Sequence, residues 1–349
     1  MVGELVPAPV DPQSAGRDFW TRFHALRRVR HAELRPDDPL EPDSHVETQM
    51  KREDPFEFQH TYEIQRDGAM LSWFHARTVR PESPEYDTNK HLFWADAYVL
   101  PEHRRQGLAR LWLPVVAQLM DEHTNTVVGY DTDQESGHGY LRWLGASPKL
   151  VGIESRLRLS EVDWPMLERW SEEGAKRSPE TKLEIYDGGV PEEQWADFAP
   201  QFSTLFNDIP LDDLDLGEIV FSPEMLREYA ERRKLAGEVA YSVLSREPDG
   251  VISGVTETLW APYRPKLLAQ EFTGVRPDAR GRGIGKWIKA AMLLHMREIY
   301  PELAWVVTDN ARSNGPMLKI NRTMGFKPYY EQTEYQMTRA ELESRIRSL

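Results

Sequence analysis

With 349 residues, 40% of them apolar and 29% charged, the chain is long enough for two domains that each bury a core, and neither half has the composition of a disordered segment. A formal net charge of −14 argues against a broad nucleic-acid footprint; besides solubility, it favours cationic or amine-bearing small substrates by long-range steering. The absence of cysteine excludes disulfides, thiolate nucleophiles and thiolate-bound zinc, and the histidines show no paired metal-ligand spacing, so no metal is expected. The opening MVGELVPAPV lacks the pattern of a secretory signal and no apolar run reaches about 18 residues, which leads us to expect a cytoplasmic protein without membrane contact.

The spacing of Phe19, Phe23, Leu26 and Val29 predicts a helix that ends in the turn-rich stretch 35–43. Strands are predicted at 56–65 and 69–79, joined by the hairpin signal Asp67-Gly68, and at 91–99 after the loop 80–90. Leu108, Leu111, Trp112, Val115, Val116, Leu119 and Met120 then recur at helical spacing, so that helix should bury one face against a sheet. The stretch 163–180, with Pro165 and Pro179, reads as a connecting helix, and it places a boundary near 178 between a first domain, 1–178, and a second, 179–349. The second half repeats the order: a strand at 182–186, two helical segments, a hairpin at Asp249-Gly250, a strand at 266–275 and a helix from Gly283. Thr338 and Glu341 form a capping-box signature before Leu342 and Ile346. Trp94, Trp112, Trp287 and Trp305 are expected to pack, His138 to lie in a loop, and Tyr329 and Tyr330 to be core or to line an acceptor site.

The run V-R-P-D-A-R-G-R-G-I-G at 275–285 recurs in altered form as V-L-P-E-H-R-R-Q-G-L-A at 99–109. The valines are 275 − 99 = 176 residues apart, about half the chain, which means tandem duplication and not a solenoid. In each copy a strand ends at Val-x-Pro, a basic glycine-rich turn follows, and a helix starts at once. The unpaired N–H groups at such a helix start, the macrodipole and a neighbouring arginine favour a phosphate-bearing ligand. A nucleotide P-loop fails, because Arg280 and Trp287 stand where its first glycine and its metal-binding hydroxyl belong. A dinucleotide fingerprint fails as well: Lys286 occupies its last glycine position, and the first copy has only Gly107. The surviving pattern is [R/Q]-x-x-G-x-[G/A], met by Arg104, Gly107 and Ala109 and again by Arg280, Gly283 and Gly285.

Set twice between a strand and a helix, this pattern resembles the acyl-CoA pyrophosphate loop of the GNAT acyltransferase superfamily, and the tandem order is similar to that of the mycothiol synthase type. The resemblance implies a mixed α/β fold of two GNAT-like domains with acetyl-CoA as co-substrate. Carried over by position, the coenzyme would be held by Val275, Arg280, Gly281, Arg282, Gly283, Ile284, Gly285 and Lys286, and in the first copy by Val99, Arg104, Arg105, Gln106, Gly107, Leu108 and Ala109. The strand 306–310 and the helix leading to Met324-Gly325-Phe326 also resemble the family. They give the contact with the coenzyme arm to Asn314, with Asn310 second; a local turn bond is the alternative for each. The first copy has Gly145-Ala146 at the corresponding end, and Asp131, Asp133 and Gln134 in place of the asparagines, so chemistry is assigned to the second domain.

Without cysteine, the expected reaction is direct attack of a small-molecule primary amine on the thioester, with a strand N–H near Val275 stabilising the oxyanion. An amine of unperturbed pKa about 10 must first lose a proton, and a base helps directly or through water. The family's strand glutamate, six residues before the valine, is Ala269 here. Glu271 shares its strand parity and is the first candidate base, a solvated or ion-paired carboxylate being the alternative; Glu257 on the neighbouring strand is the second. The resemblance places a tyrosine acid four residues before Gly-Phe, where this chain has Asn321 and the first copy Leu141. Asparagine can hydrogen-bond sulfur or substrate but supplies no proton. Ala269 and Asn321 motivate a rival reading, a non-catalytic acyl-CoA-binding or sensing protein; a third, protein acetylation, predicts an open acidic groove. The acceptor, whether amino sugar, antibiotic-like polyamine, amino-acid derivative or protein N-terminus, and the oligomeric state stay open.

Overall fold

The computed structural model describes residues 5–349. Strand β1 (Ala8–Val10) is followed by helices α1 (Arg17–Leu34) and α2 (Asp43–Lys51), strands β2 (Glu57–Arg66) and β3 (Ala69–Val79), the one-turn helix α3 (Tyr86–Asn89), β4 (Leu92–Val99), α4 (Trp112–Glu122), β5 (Val127–Thr132) and α5 (Glu135–Leu144). Next come β6 (Ser147–Arg158), α6 (Trp164–Arg177), β7 (Lys182–Asp187), α7 (Trp195–Phe206), α8 (Pro223–Leu235), β8 (Val239–Arg246) and β9 (Ile252–Trp260). The chain closes with β10 (Leu267–Val275), α9 (Ile284–Ile299), β11 (Trp305–Ala311), α10 (Gly315–Met324), β12 (Lys327–Thr338) and α11 (Arg339–Arg347). The duplicated element order expected from the sequence is present, and the contacts divide the chain into two compact units. The first runs to Lys149 and adds Asp213–Glu218 and Thr333–Leu349; the second holds Leu150–Asp212 and Ile219–Gln332.

In the first unit the strands run β1-β2-β3-β4-β5, antiparallel except for the parallel pair β4/β5. Asp67 (φ 52°) and Gly68 (φ 78°) are both left-handed, the turn that matches strand twist in a two-residue hairpin. Phe74, Ala76, Phe93 and Ala95 form one core with Leu113, Val116 and Met120 of α4 and Leu141 and Leu144 of α5. A second cluster joins Phe19, Trp20, Phe23 and Leu26 of α1 to Met70, Trp73 and Tyr98. The end of the chain completes this unit. Residues 333–338 of β12 pair antiparallel with β5, Tyr335 opposite Tyr130, and α11 buries Leu342 completely in the α4 core. The expected capping box is formed: the Thr338 side chain accepts from the Glu341 amide, and the Glu341 carboxylate from the Thr338 amide.

In the second unit the order is β6-β11-β10-β9-β8-β7, with β10/β11 the parallel pair. Ile284, Ile288, Met292 and Met296 of α9 pack with Leu157, Val243, Leu268 and Val306. Phe202 of α7 meets Phe221 and Phe272. The sequence boundary near 178 and the observed division differ by the segment 150–178. Helix α6 packs so closely on α9 that a Cβ added at Gly174 would lie 2.4 Å from the Trp287 side chain, which ties the segment to the second unit. The closing strands are exchanged: β6 continues from α5 of the first repeat but pairs with β11, while β12 continues from α10 and pairs with β5. Repeats of one pattern present equivalent strand edges, so either closing strand fits either edge. Among the described residues no helix is long and apolar enough to cross a membrane.

Because α11 supplies the first unit's core, Leu342→Ala should lower unfolding free energy by about 2–5 kcal/mol in urea denaturation, although only seven residues follow it (349 − 342). A loss within about 0.5 kcal/mol, the range of surface substitutions, would contradict the packing.

Candidate active site

The two glycine turns have one geometry. A short 3₁₀ turn follows each valine, Pro101–His103 and Pro277–Ala279. Left-handed residues then alternate: Arg105 (φ 63°) and Gly107 (φ 89°) in the first unit, Gly281 (φ 79°) and Gly283 (φ 86°) in the second. Arg105 bears a side chain where the second turn has glycine, a strain of about 1–2 kcal/mol that the turn tolerates once. In each case the preceding arginine folds back on the strand end, Arg104 Nε donating to the Val99 carbonyl at 3.0 Å and Arg280 Nε to that of Val275 at 3.2 Å. Gly283 caps α9 directly, whereas Gly107 opens a 3₁₀ turn, Leu108–Leu111, that runs into α4. Neither helix start carries a side-chain cap, so its leading amides are available to an anion.

The arginines do not reach outward as their sequence position suggests. Both terminal nitrogens of Arg104 donate to Glu33 at 2.6 Å, and this hydrogen-bonded pair holds the Glu33 carboxyl below the usual range. Arg280, more exposed, pairs through one terminal nitrogen with Asp208, just beyond α7. Arg282 is bonded to Ser178, Thr181 and Glu247, and Lys286 lies 4.6 Å from the Trp170 ring centre. Gln106 donates to the Glu102 carbonyl, and the Ala109 carbonyl accepts from Tyr140. Ile284 and Leu108 are buried, and a Cβ at Gly285 would sit 3.4 Å from Ile320 and 3.5 Å from Val275. Main-chain amides and the helix dipole therefore add to the attraction that the exposed side chains of Arg105, Arg280 and Lys286 offer an anion.

Beside each turn the parallel strands part. Pairing of β4 with β5 ends at Trp94↔Gly129, and that of β10 with β11 at Gln270↔Thr308. Both last pairs lie five residues before the valine (99 − 94 and 275 − 270), so the main chain between them is released on that side. In the first unit the opening is a cavity of about 760 Å³, lined by Ala95, Ala97, Val99, the turn 104–110, Leu113 and Tyr130. The Tyr130 hydroxyl is buried without a hydrogen-bond partner.

In the second unit β10 carries a bulge: Gln270 faces Thr258, Phe272 faces Glu257, and Glu271 is the extra residue. The Gln270 amide braces the kink by donating to Thr256 Oγ1 and to the carbonyls of Glu257 and Phe272. Strand parity is interrupted here, so Ala269 is buried while Glu271 is exposed. Desolvation raises the Glu271 carboxyl, Arg264 and Arg233 opposing and Glu238 and Glu257 adding. Glu257, half-buried, accepts from Ser242 at 2.9 Å, and desolvation raises its carboxyl against Arg233 and that hydrogen bond. Asn321 is 1% exposed; its amide nitrogen donates to Asn310 Oδ1 at 2.7 Å, and its own Oδ1 is buried without a partner. Asn314 caps α10 by accepting from the Met317 amide at 3.3 Å, which is the local turn bond.

Two sequence expectations are corrected nearby. His138 lies within α5, its Nδ1 2.9 Å from the Tyr335 hydroxyl, because Gly137 packs on Thr132 and lets the helix start early. Tyr329 is exposed under the Arg156 guanidinium at 3.6 Å and is not core. Sequence reasoning also missed Lys289, a residue 2% exposed inside α9; aligning the repeats would have shown it against Leu113 (289 − 113 = 176).

No protein-family model and no curated protein sequence matches this chain. Among solved structures it is similar to a tandem GNAT protein from the clavulanic acid biosynthesis pathway, with 19% identity and a TM-score of 0.73 over 96% of this chain and 99% of that one. It is also similar to a GCN5-related N-acetyltransferase from Sphaerobacter thermophilus, with 14% identity and a TM-score of 0.65 over 97% of each chain. A third likeness, to the glucosamine N-acetyltransferase region of a fungal multi-domain GH3 β-N-acetylglucosaminidase, has 13% identity and a TM-score of 0.65 over 96% of this chain and 38% of that one. At these identities the likeness shows the fold, which is a tandem pair of GNAT domains.

A carboxyl raised in the folded state contributes stability that is present below the ordinary carboxylate pKa and lost as pH rises through the raised value. Glu257→Gln, which cannot ionise, should therefore gain in melting temperature relative to the unsubstituted protein as pH rises above about 4. A difference that does not change with pH would contradict the buried placement.

Proposed function

We propose that the chain is an acyltransferase that moves the acetyl group of acetyl-CoA to a primary amine of a small molecule by direct attack. In this reading the second unit is catalytic and the first retains a coenzyme site. The observation that carries it is the cradle built twice, each beside a parallel strand pair that parts five residues before the valine. The amides following Gly283 receive the diphosphate, and the released main chain of 271–275 pairs with the pantetheine arm. Main-chain donors at the bulge then face the thioester carbonyl and stabilise the oxyanion. Glu271, supported by Glu257 one strand away, takes the amine proton directly or through water, and the upward shift of its carboxyl makes it a stronger base than an ordinary glutamate.

The first unit has Ala95 at the position of Glu271 (271 − 95 = 176) and Leu141 where the second has Asn321, so it keeps the cradle without a base. Its cavity of about 760 Å³ favours a second reading, a protein that binds acyl-CoA without turning it over.

Thiol release from acetyl-CoA against an amine panel separates the two readings. The acyltransferase reading expects amine-dependent release. Glu271→Gln should lower kcat by about 10²-fold with little change in KM for acetyl-CoA, and Gly283→Glu should abolish turnover by putting bulk and negative charge in the cradle. Acetyl-CoA binding without turnover on any amine would support the second reading, and unchanged turnover by Gly283→Glu would contradict both the cradle and the choice of unit.

A further inference from the structure

The cavity of the first unit is continuous with its cradle and reaches into an apolar core. Part of its wall is the turn 104–110, which ends at the uncapped helix start behind Gly107. It also touches Phe74, Ala95, Trp112, Leu113, Val116 and Leu141, all buried members of one core cluster. Small residues leave this space open. Strand β4 pairs with β3 from Trp94 to Val99 without a register shift, so Ala95, Ala97 and Val99 keep one parity, and all three line the cavity. On α5, a Cβ added at Gly139, another lining residue, would meet no atom within 4 Å.

The bulge that sets Glu271 in β10 has no counterpart in β4, where Ala95 holds the equivalent position. Of the two carboxylates that line the cavity, Asp96 is paired with Arg30 at 3.0 Å and Asp131 is exposed. The Tyr130 hydroxyl, also in the lining, is buried without a partner one residue beyond Gly129, where β5 leaves β4. Burial raises this phenol well above its usual range, so it stays a donor, and a buried donor calls for an acceptor. An anion cradle, an orphan donor at the strand fork and an apolar depth suit one kind of molecule: charged at one end, alkyl at the other, with a carbonyl between.

We propose that the first unit binds coenzyme A thioesters whose acyl group is a straight alkyl chain longer than acetyl, and holds them without turnover. The inference rests on the coenzyme reading of the cradle given above and names the acyl class at this site. The diphosphate lies on the amides that follow Gly107, a carbonyl of the thioester arm accepts from Tyr130, and the chain fills the space between Ala95, Leu113, Val116 and Leu141. An acetyl group covers less of that apolar surface. Each further methylene buried there adds up to about fourfold in affinity, the equivalent of about 0.8 kcal/mol. With alanine at position 95 no base activates an incoming amine, and the thioester stays intact.

Isothermal titration of Gly283→Glu, whose second cradle is filled, reads the first site alone. Hexanoyl-CoA should bind at least about tenfold more tightly than acetyl-CoA, with butanoyl-CoA between them and no thiol released. Ala95→Leu in the same background should cancel the gain for hexanoyl-CoA and leave acetyl-CoA within a few-fold. Tyr130→Phe should weaken both thioesters alike by several-fold; unchanged affinities would overturn the assigned hydrogen bond. Equal affinities for acetyl-CoA and hexanoyl-CoA, or a gain that survives Ala95→Leu, would overturn the inference and leave the cradle standing. Binding of neither thioester would overturn the coenzyme reading of the first unit as well. Hexanoic acid, which lacks the diphosphate, should not displace hexanoyl-CoA; displacement would make this a fatty-acid site and overturn the proposal. Should a variant fail to fold, a crystal structure of the unsubstituted protein with hexanoyl-CoA decides. An alkyl chain against Leu113 and Val116 supports the assignment, and a chain left in solvent or an empty first site overturns it.

Discussion

The structure depends on one small device, the left-handed glycine at each helix start together with the arginine that folds back on the strand-end valine carbonyl. Gly107 and Gly283 let the chain reverse from strand to helix within a few residues, and the Nε bonds of Arg104 and Arg280 fix the angle of the reversal. A side chain at Gly283 would be strained by its φ of 86° and would also crowd the cradle. With Arg104 held by Glu33 and Arg280 by Asp208, the arginines also act as struts, and the backbone amides attract an anion without any side-chain ordering.

The two units share this scaffold and diverge where chemistry would occur. Ala95, Leu113 and Leu141 in the first unit stand where the second has Glu271, Lys289 and Asn321. Each of these apolar residues of the first unit is close-packed or lines the cavity; each polar counterpart in the second sits at a bulge, inside a helix face or against an unpartnered atom.

The features legible in the sequence are local ones. The Asp67-Gly68 hairpin, the Thr338–Glu341 capping box and both glycine turns are written within a few residues, because φ preferences and side-chain reach act over that range. What could not be read involves partners far along the chain. Glu33 lies 71 residues from Arg104, and nothing in either segment announces the pair. The exchange of β6 and β12 is invisible because duplicated repeats carry equivalent strand patterns. The bulge at Glu271 depends on how β9 registers with β10, so the parity argument from Ala269 reached the right strand but not the right exposure.

The central claim, that main-chain amides at two helix starts hold a diphosphate, is tested most directly by a crystal structure of the protein grown with coenzyme A. The account predicts diphosphate oxygens within about 2.7–3.2 Å of the amides that follow Gly283, with a second copy at those that follow Gly107. Coenzyme bound elsewhere, or two empty turns at saturating coenzyme, would contradict it.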